Sequence, residues 1–310
     1  MSDSAANVGA DDVTRIGPYL IQDVLGGGPH GTVYLALHEE RGRRCVLKRL
    51  HKPAAGGRPG EKFGRIARVV VALAHPGLAD VSHMLLHGGH VVIVSEFVSG
   101  RSLAQVIAEH GPLEPREVVS LARQICMGLQ YAHQRCVYHT SLHPGNVFLL
   151  PDGSLRLTDL AIAALYGHSV GKRPAYLPRQ RAFLAPEFRD DGIIHPPSDI
   201  YSLAMTLYSA LTGALVHVQR SGERADTGGR FAYLEVGDAS QVREAQAGPD
   251  LSGLPEGVPE VLRHTLATAL ATDPADRFGS VNAFSAVLRG APAAPIANRD
   301  ARPTDEVVAD

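Results

Sequence analysis

Gly26, Gly28 and Gly31 stand at GxGxxG spacing in the run LGGGPHGTVY. Missing side chains let a backbone approach phosphate oxygens closely, so the spacing points toward nucleotide chemistry, although a glycine-rich hairpin turn explains it as well. A dinucleotide fingerprint needs a helix directly after the glycines, whereas TVYLAL has strand composition. Seventeen residues beyond Gly31 comes Lys48 in CVLKRL, on a strand-like run that aims it inward, toward phosphates lying under a glycine loop. His139 and His143 have HxxxH spacing. Without a helix or a third ligand nearby, His139 reads as a packed loop anchor, not half of a metal site.

These residues need elements to hold them. The first third alternates short β-type runs, YLIQDVL, TVYLAL, CVLKRL and VVIVS, with glycine and histidine turns, and the stretch 62–73 reads as a helix. From Leu103 onward the period becomes helical. Val118, Leu121, Ala122, Ile125 and Leu129 form one buried stripe, and Ile200, Leu203, Leu207 and Leu211 form another that ends at Gly213, a suitable cap. A third helix starts after Ser280 and points Ala283, Phe284, Val287 and Leu288 at the core. Sheet first and helices after predict an α+β fold of two lobes, 15–98 and 99–290, without internal repeats. The segments 1–14 and 291–310 are rich in Ala, Pro and Asp, and are expected to be disordered and outside the core.

With 310 residues, 45% hydrophobic and 20% charged, the chain is long enough to bury a sizeable core. A net charge of -2 provides no broad attraction to nucleic acid or anionic lipid, and Arg41, Arg43 and Arg44 read as a solvated strand edge. Cys45, Cys126 and Cys136 are odd in number, lie in apolar surroundings and form no CxxC pair; all three read as reduced packing residues. The N-terminus is acidic and polar, unlike a signal peptide, and no apolar run reaches membrane-spanning length. A cytoplasmic protein is expected.

Further along, the chain resembles the protein kinase family, bacterial serine/threonine kinases most of all. Lys48 matches the family's strand lysine, Asn146 its catalytic-loop asparagine, and Asp159 in TDLA the first residue of its DFG motif. The thirteen-residue separation of Asn146 and Asp159 is the family's usual one, and both would supply oxygen ligands to Mg²⁺. Ala185, Pro186 and Glu187 match the APE motif, Asp199 in SDIYSL a helix-capping aspartate, and Arg277 in DPADRF the arginine that pairs with the APE glutamate in a structural role. The resemblance covers nearly all of residues 16–290. It implies a nucleotide site made by Gly26, Gly28, Gly31 and Lys48, with Val33, Val46, Glu96, Val98 and Phe148 around the base.

Several positions depart from the family pattern. In YHTSLHPGN, the family's HRDLKPEN loop keeps His139, Leu142, Pro144 and Asn146, but the catalytic aspartate is Ser141 and the neighbouring lysine is His143. Serine cannot accept a substrate hydroxyl proton near neutral pH, and loss of a general base costs ~10² to 10⁴ in rate, or roughly 3 to 5 kcal/mol of barrier. Thr140 replaces the arginine that would grip an activation-loop phosphate. Counting back from AHPGL puts Ile66 where the glutamate partner of Lys48 belongs; Glu61 lies about 500° of rotation away, roughly 140° off that face. Gln180 stands at the substrate-loop position usually held by threonine. Val46 and Phe148 narrow the adenine slot, an overpacking that commonly costs about 1 to 3 kcal/mol.

The resulting expectation is a pseudokinase that binds ATP weakly or not at all, takes Mg²⁺ only with nucleotide, and acts through protein partners such as another kinase or a phosphothreonine-reading module. Thr14 in DDVTRI and Thr304 in PTDEVV are the candidate phosphorylation points, against the plainer reading of inert tails. The alternatives are an active, slow serine/threonine kinase that keeps Lys48, Asn146 and Asp159 to position ATP, and transfer of a different part of the nucleotide.

Overall fold

The computed structural model describes residues 14–171, 181–214, 218–219, 233–234 and 251–297. Its first half is a six-stranded antiparallel sheet built from β1 (Arg15–Ile16), β2 (Tyr19–Gly27), β3 (Gly31–His38), β4 (Arg43–Pro53), β5 (Val81–His87) and β6 (His90–Glu96), in the order β1-β2-β3-β4-β6-β5. Strand alternation sorts the side chains of β4. Cys45 and Leu47 join a small core with Tyr19, Tyr34, Val92 and Val94, while Leu50 lies with Val91 and Ile93 on the opposite face. Lys48 shares the second face, the one that meets helix α1 (Glu61–Val71).

Strand β5 escapes the sequence reading. Its apolar residues are contiguous in VSHMLLH, so they show no period of two, and it lies at the sheet edge, where burial is partial. Helix α1 begins one residue before the expected helix and ends two residues earlier, where the Ala72 amide folds back onto the carbonyls of Arg68, Val69 and Val70.

The second half packs helices around one large core. Helix α2 (Leu103–His110) opens with a capping box, in which Ser102 accepts from the Gln105 amide and the Gln105 side chain accepts from the Ser102 amide. Helix α3 (Pro115–His133) buries all five residues of its expected stripe, and β7 (Arg101–Ser102), β8 (Val147–Leu149) and β9 (Leu155–Leu157) form a small sheet beside it. After α4 (Ile162–Val170) and α5 (Pro186–Asp190), helix α6 (Pro196–Thr212) buries its four expected leucine and isoleucine positions and stops at Gly213, whose φ of +72° suits a left-handed cap. Helices α7 (Glu260–Ala269) and α8 (Val281–Val287) complete the lobe.

Three expectations are corrected. In α8, Ser280 caps as expected, but the buried positions are Val281, Phe284 and Leu288; Ala283 and Val287 face solvent. Cys136 is exposed, whereas Cys45 and Cys126 are buried. The segment after α8 is not outside the core. Ala291 and Ile296 are buried, the Ala294 amide donates to the Arg116 carbonyl at 3.0 Å, and the Ala297 amide donates to the Glu117 carboxylate at 2.7 Å. Arg123 reinforces this strap by donating to the carbonyls of Leu288 and Ala291. At the other end, Thr14 is exposed, but its carbonyl accepts from the Ile21 amide.

Candidate functional site

A cavity of about 280 Å³ opens between sheet and helices. Leu25, Val33 and Val46 line it from the sheet, Val98 from the connection after β6, and Phe148 from β8. The polar end holds Lys48, Ser141, His143, Asn146 and Asp159. Gly28 lines the cavity, and Gly26 and Gly31 are not among its lining residues. Gly31 has another reason to be glycine. A side-chain carbon there would collide with the Arg49 carbonyl oxygen on the neighbouring strand. Glu96 is also at the rim, with its carboxylate accepting from the Asp80 amide at 3.0 Å and 3.7 Å from Arg156.

The loop carrying Ser141 is held from below by Asp199 near the start of α6. Its carboxylate accepts from the amides of His139 (2.7 Å) and Thr140 (2.9 Å), and from His133 Nε2 (2.8 Å). Desolvation raises the Asp199 carboxyl, but the His133 hydrogen bond and charge and the nearby amides outweigh it and leave the group below its ordinary value. Thr140 adopts a left-handed φ of +65°, and its hydroxyl accepts from the Ala163 amide at the start of α4. The residue replacing the family's arginine therefore ties this loop to the next helix.

Asn146 donates its side-chain amide to the Ser141 carbonyl at 2.8 Å. Ser141 itself is 6% exposed and lines the cavity. His143 Nδ1 accepts from the Gly145 amide at 3.1 Å. The His139 ring is fully buried with neither nitrogen hydrogen-bonded among the described residues, and burial holds it below its ordinary pKa. No group of three or more His, Cys, Asp or Glu able to hold a metal occurs among the described residues, so the HxxxH pair has no third ligand there.

Lys48 makes its ion pair with Asp159. Burial raises the Asp159 carboxyl, and the charge and hydrogen bond of Lys48 more than reverse that, so it stays ionised. Ile66, on α1, packs instead against an apolar cluster in which Ile162, Leu165 and Tyr166 of α4 meet Leu50, Phe63 and Ile93. Glu61 is on the surface, 3.9 Å from Arg65. Helix α4 thus packs against both α1 and β4, and its Ile162 and Leu165 line the same cavity as Lys48. Sequence reasoning missed α4 and Tyr166; the signal available was AIAALY, a run of good helix formers directly after TDLA.

His30, also missed, stands at the tip of the β2–β3 hairpin and is only 3% exposed. Its ring meets Tyr166 edge-on at 5.8 Å between centroids, and it lines the polar end of the cavity. Desolvation and then Lys48 push its pKa down to about 3, against the upward pull of Asp159. His143 is pushed down to about 4, chiefly by burial. Both rings are neutral at pH 7.

Lys48 contacts Asp159 through Oδ2 and Asn146 donates through Nδ2, so neither bond uses the Oδ1 of Asn146 or Asp159, the hard oxygen donors a divalent cation would take. His30 at the hairpin tip lines the same cavity. The pair expected to be structural is in place. Arg277 meets Glu187 through two contacts of 2.9 and 3.0 Å, and also donates to the carbonyls of Ala271, Thr272 and Pro197. Gln180 and Thr304 lie outside the described residues.

Residues 19–287 match the family model for the protein kinase domain. Over 271 residues the chain is 30% identical to the serine/threonine-protein kinase PknL of Mycobacterium tuberculosis, covering 87% of this chain and 64% of that protein. It is 32% identical over 255 residues to PknK of the same organism, covering 82% of this chain and 22% of the relative. With PrkC of Bacillus subtilis it shares 27% over 276 residues, 89% of this chain and 40% of the relative. In each case the match spans less than two thirds of the relative's length.

Proposed function

The chain belongs to the protein kinase domain family, and on that premise we propose that it is a pseudokinase, a regulatory or scaffolding module that does not turn over ATP. The observation that carries this reading is the position of Ser141. It lines the cavity where a general base would be needed, and the two carboxylates among the described lining residues are already engaged, Asp159 by Lys48 and Glu96 by the Asp80 amide. A hydroxyl with a pKa far above neutrality cannot take the substrate proton, which removes ~10² to 10⁴ in rate. The lack of a carboxylate partner for Lys48 at Ile66 would add to that deficit, because phosphoryl transfer depends on positioning and electrostatics.

ATP binding in this reading is weak or absent, and Mg²⁺ enters only with nucleotide. Partners are proteins, either another kinase or a module that reads phosphothreonine at Thr14 or Thr304, and neither nucleic acid nor membrane. Support comes from a net charge of -2 and from the lack, among the described residues, of any helix long and apolar enough to cross a membrane. A cytoplasmic location belongs to the same proposal.

One observation favours a slow, active serine/threonine kinase instead: Lys48, Asn146 and Asp159 all line one cavity. Transfer of label from γ-labelled ATP to the chain itself and to a generic basic substrate separates the two readings. The expected result is background incorporation, unchanged by Asp159→Asn. Turnover like that of an ordinary kinase, abolished by Asp159→Asn, would overturn the pseudokinase reading.

A further inference from the structure

We propose that the outward face of helix α1, with the connection that leads into it, is a docking surface for an acidic segment of another protein, one that interleaves Asp or Glu with apolar residues. The proposal rests on the reading of the chain as a module that works through protein partners, and it names the chemistry of such a partner. Three features carry it: the distribution of charge, the exposure of the cations and the apolar residue set among them.

The stretch 49–68 holds six Lys and Arg residues and one carboxylate, Glu61. The net charge of -2 is therefore the balance of +5 in these twenty residues and -7 over the rest of the chain. Exposed charges are screened within about 8 Å at physiological salt, so a ligand at this face meets the local excess and not the balance.

The cations stand open to it. Lys52, Arg58, Lys62, Arg65 and Arg68 are all exposed. Among the described residues Lys52, Arg58 and Lys62 make no ion pair, and Arg65 has Glu61 at 3.9 Å, between side chains 61% and 85% exposed, where water screens the attraction. Lys62 and Arg65 stand in the first half of α1, the end of a helix that favours anions, and Lys62–Arg65 and Arg65–Arg68 are like-charged neighbours about one turn apart. These placements work against the isolated helix, and an anion bound across them relieves the repulsion.

An apolar contact selects protein. Lys62, Arg65 and Val69 fall within about 60° of one another around the helix axis. Val69 is 36% exposed between the two cations. A peptide sets an apolar side chain on Val69 while its carboxylates reach Lys62 and Arg65; a phosphate backbone has nothing to place there. The -7 outside the patch also repels a polyanion that extends past it, which disfavours nucleic acid and an anionic lipid surface.

The test is fluorescence anisotropy of the full chain with labelled peptides of one length, repeating Glu-Glu-Leu, Ser-Ser-Leu or Lys-Lys-Leu. The Glu peptide is expected to bind at least tenfold more tightly than the other two. Lys62→Gln, Arg65→Gln and Arg68→Gln combined are expected to weaken it at least fivefold, and Val69→Ser at least twofold. Arg41→Gln with Arg43→Gln, on the strand edge outside the patch, is expected to change nothing. Thermal melting checks the fold of each variant; if the triple variant melts early, Arg65→Gln alone serves, with a loss of at least twofold. Equal binding of the three peptides, an affinity unmoved by the α1 variants, or the same loss in the Arg41 and Arg43 control would overturn the proposal. So would tighter binding of duplex DNA or of phosphatidylserine vesicles, or a wild-type dimer in sedimentation that the triple variant abolishes, which would give the face to a second copy. Failure of the Glu peptide would defeat this inference alone, whereas phosphate transfer from ATP would defeat the pseudokinase reading and leave this binding in place.

Discussion

Two imidazoles at the polar end of the cleft make a pH prediction. His30 and His143 have folded pKa values of about 3 and about 4, against 6.5 for an ordinary histidine. Below pH 6.5 the unfolded chain binds protons that the folded chain refuses, so the contribution of these groups to stability is complete above that pH. It is lost as the pH falls toward 4 and then 3, by up to about 1.4 kcal/mol per pH unit for each ring. Asp159, Asp199 and Glu187 are also held below their ordinary values, but what they contribute is lost only below about pH 4.5. In the window from 6.5 to 4.5 the histidines therefore dominate, with His75, His83 and His139, also held below their ordinary values by burial, among them. The urea midpoint of the wild type should fall across that window, and His30→Gln should make the fall shallower; identical slopes would contradict the burial of His30.

At the scale of elements, α4 joins α1 to the sheet beside the cleft. Leu165 is 1% exposed in the cluster that joins α4 to α1 and the sheet. Truncation to alanine should cost about 2 to 5 kcal/mol in urea denaturation, the range for a buried leucine. A loss below about 0.5 kcal/mol would mean that α4 is not packed there. The run AIAALY carries helix propensity but, apolar on every side, offers no period to show which face is buried, and that burial depends on α1 and β4, which are distant in the chain. The strap at 291–297 was hidden for the same reason. Alanine and proline carry no local signal, and the partners that bury Ala291 and Ile296 lie in the core around α3. The stripes of α3 and α6 were legible because each helix repeats its own pattern often enough to reveal a face.

For the whole molecule, two lobes and the order of motifs could be read directly, since Lys48, Asn146, Asp159, Glu187 and Arg277 each sit in a distinctive local run. How Lys48 is partnered could only be half read: Ile66 announced a missing carboxylate, and nothing local announced that Asp159 would take its place. The Glu187–Arg277 pair binds the helical lobe together, with the Arg277 side chain fully buried. Arg277→Ala should cost about 3 to 5 kcal/mol by stranding the glutamate, read as a lowered urea midpoint; a change within 0.5 kcal/mol would deny the pair that role. On the proposed reading Ser141 and Ile66 are separate departures within one machine, and groups that act as a unit combine non-additively. The most direct measurement is the initial rate of labelled-phosphate transfer by the wild type, Ser141→Asp, Ile66→Glu and the double variant, each checked for folding by thermal melting. The account predicts background rates for the wild type and both single variants, and a rate for the double variant above the sum of the two. Robust turnover by Ser141→Asp alone would contradict it, because Lys48 would then be working without a partner on α1.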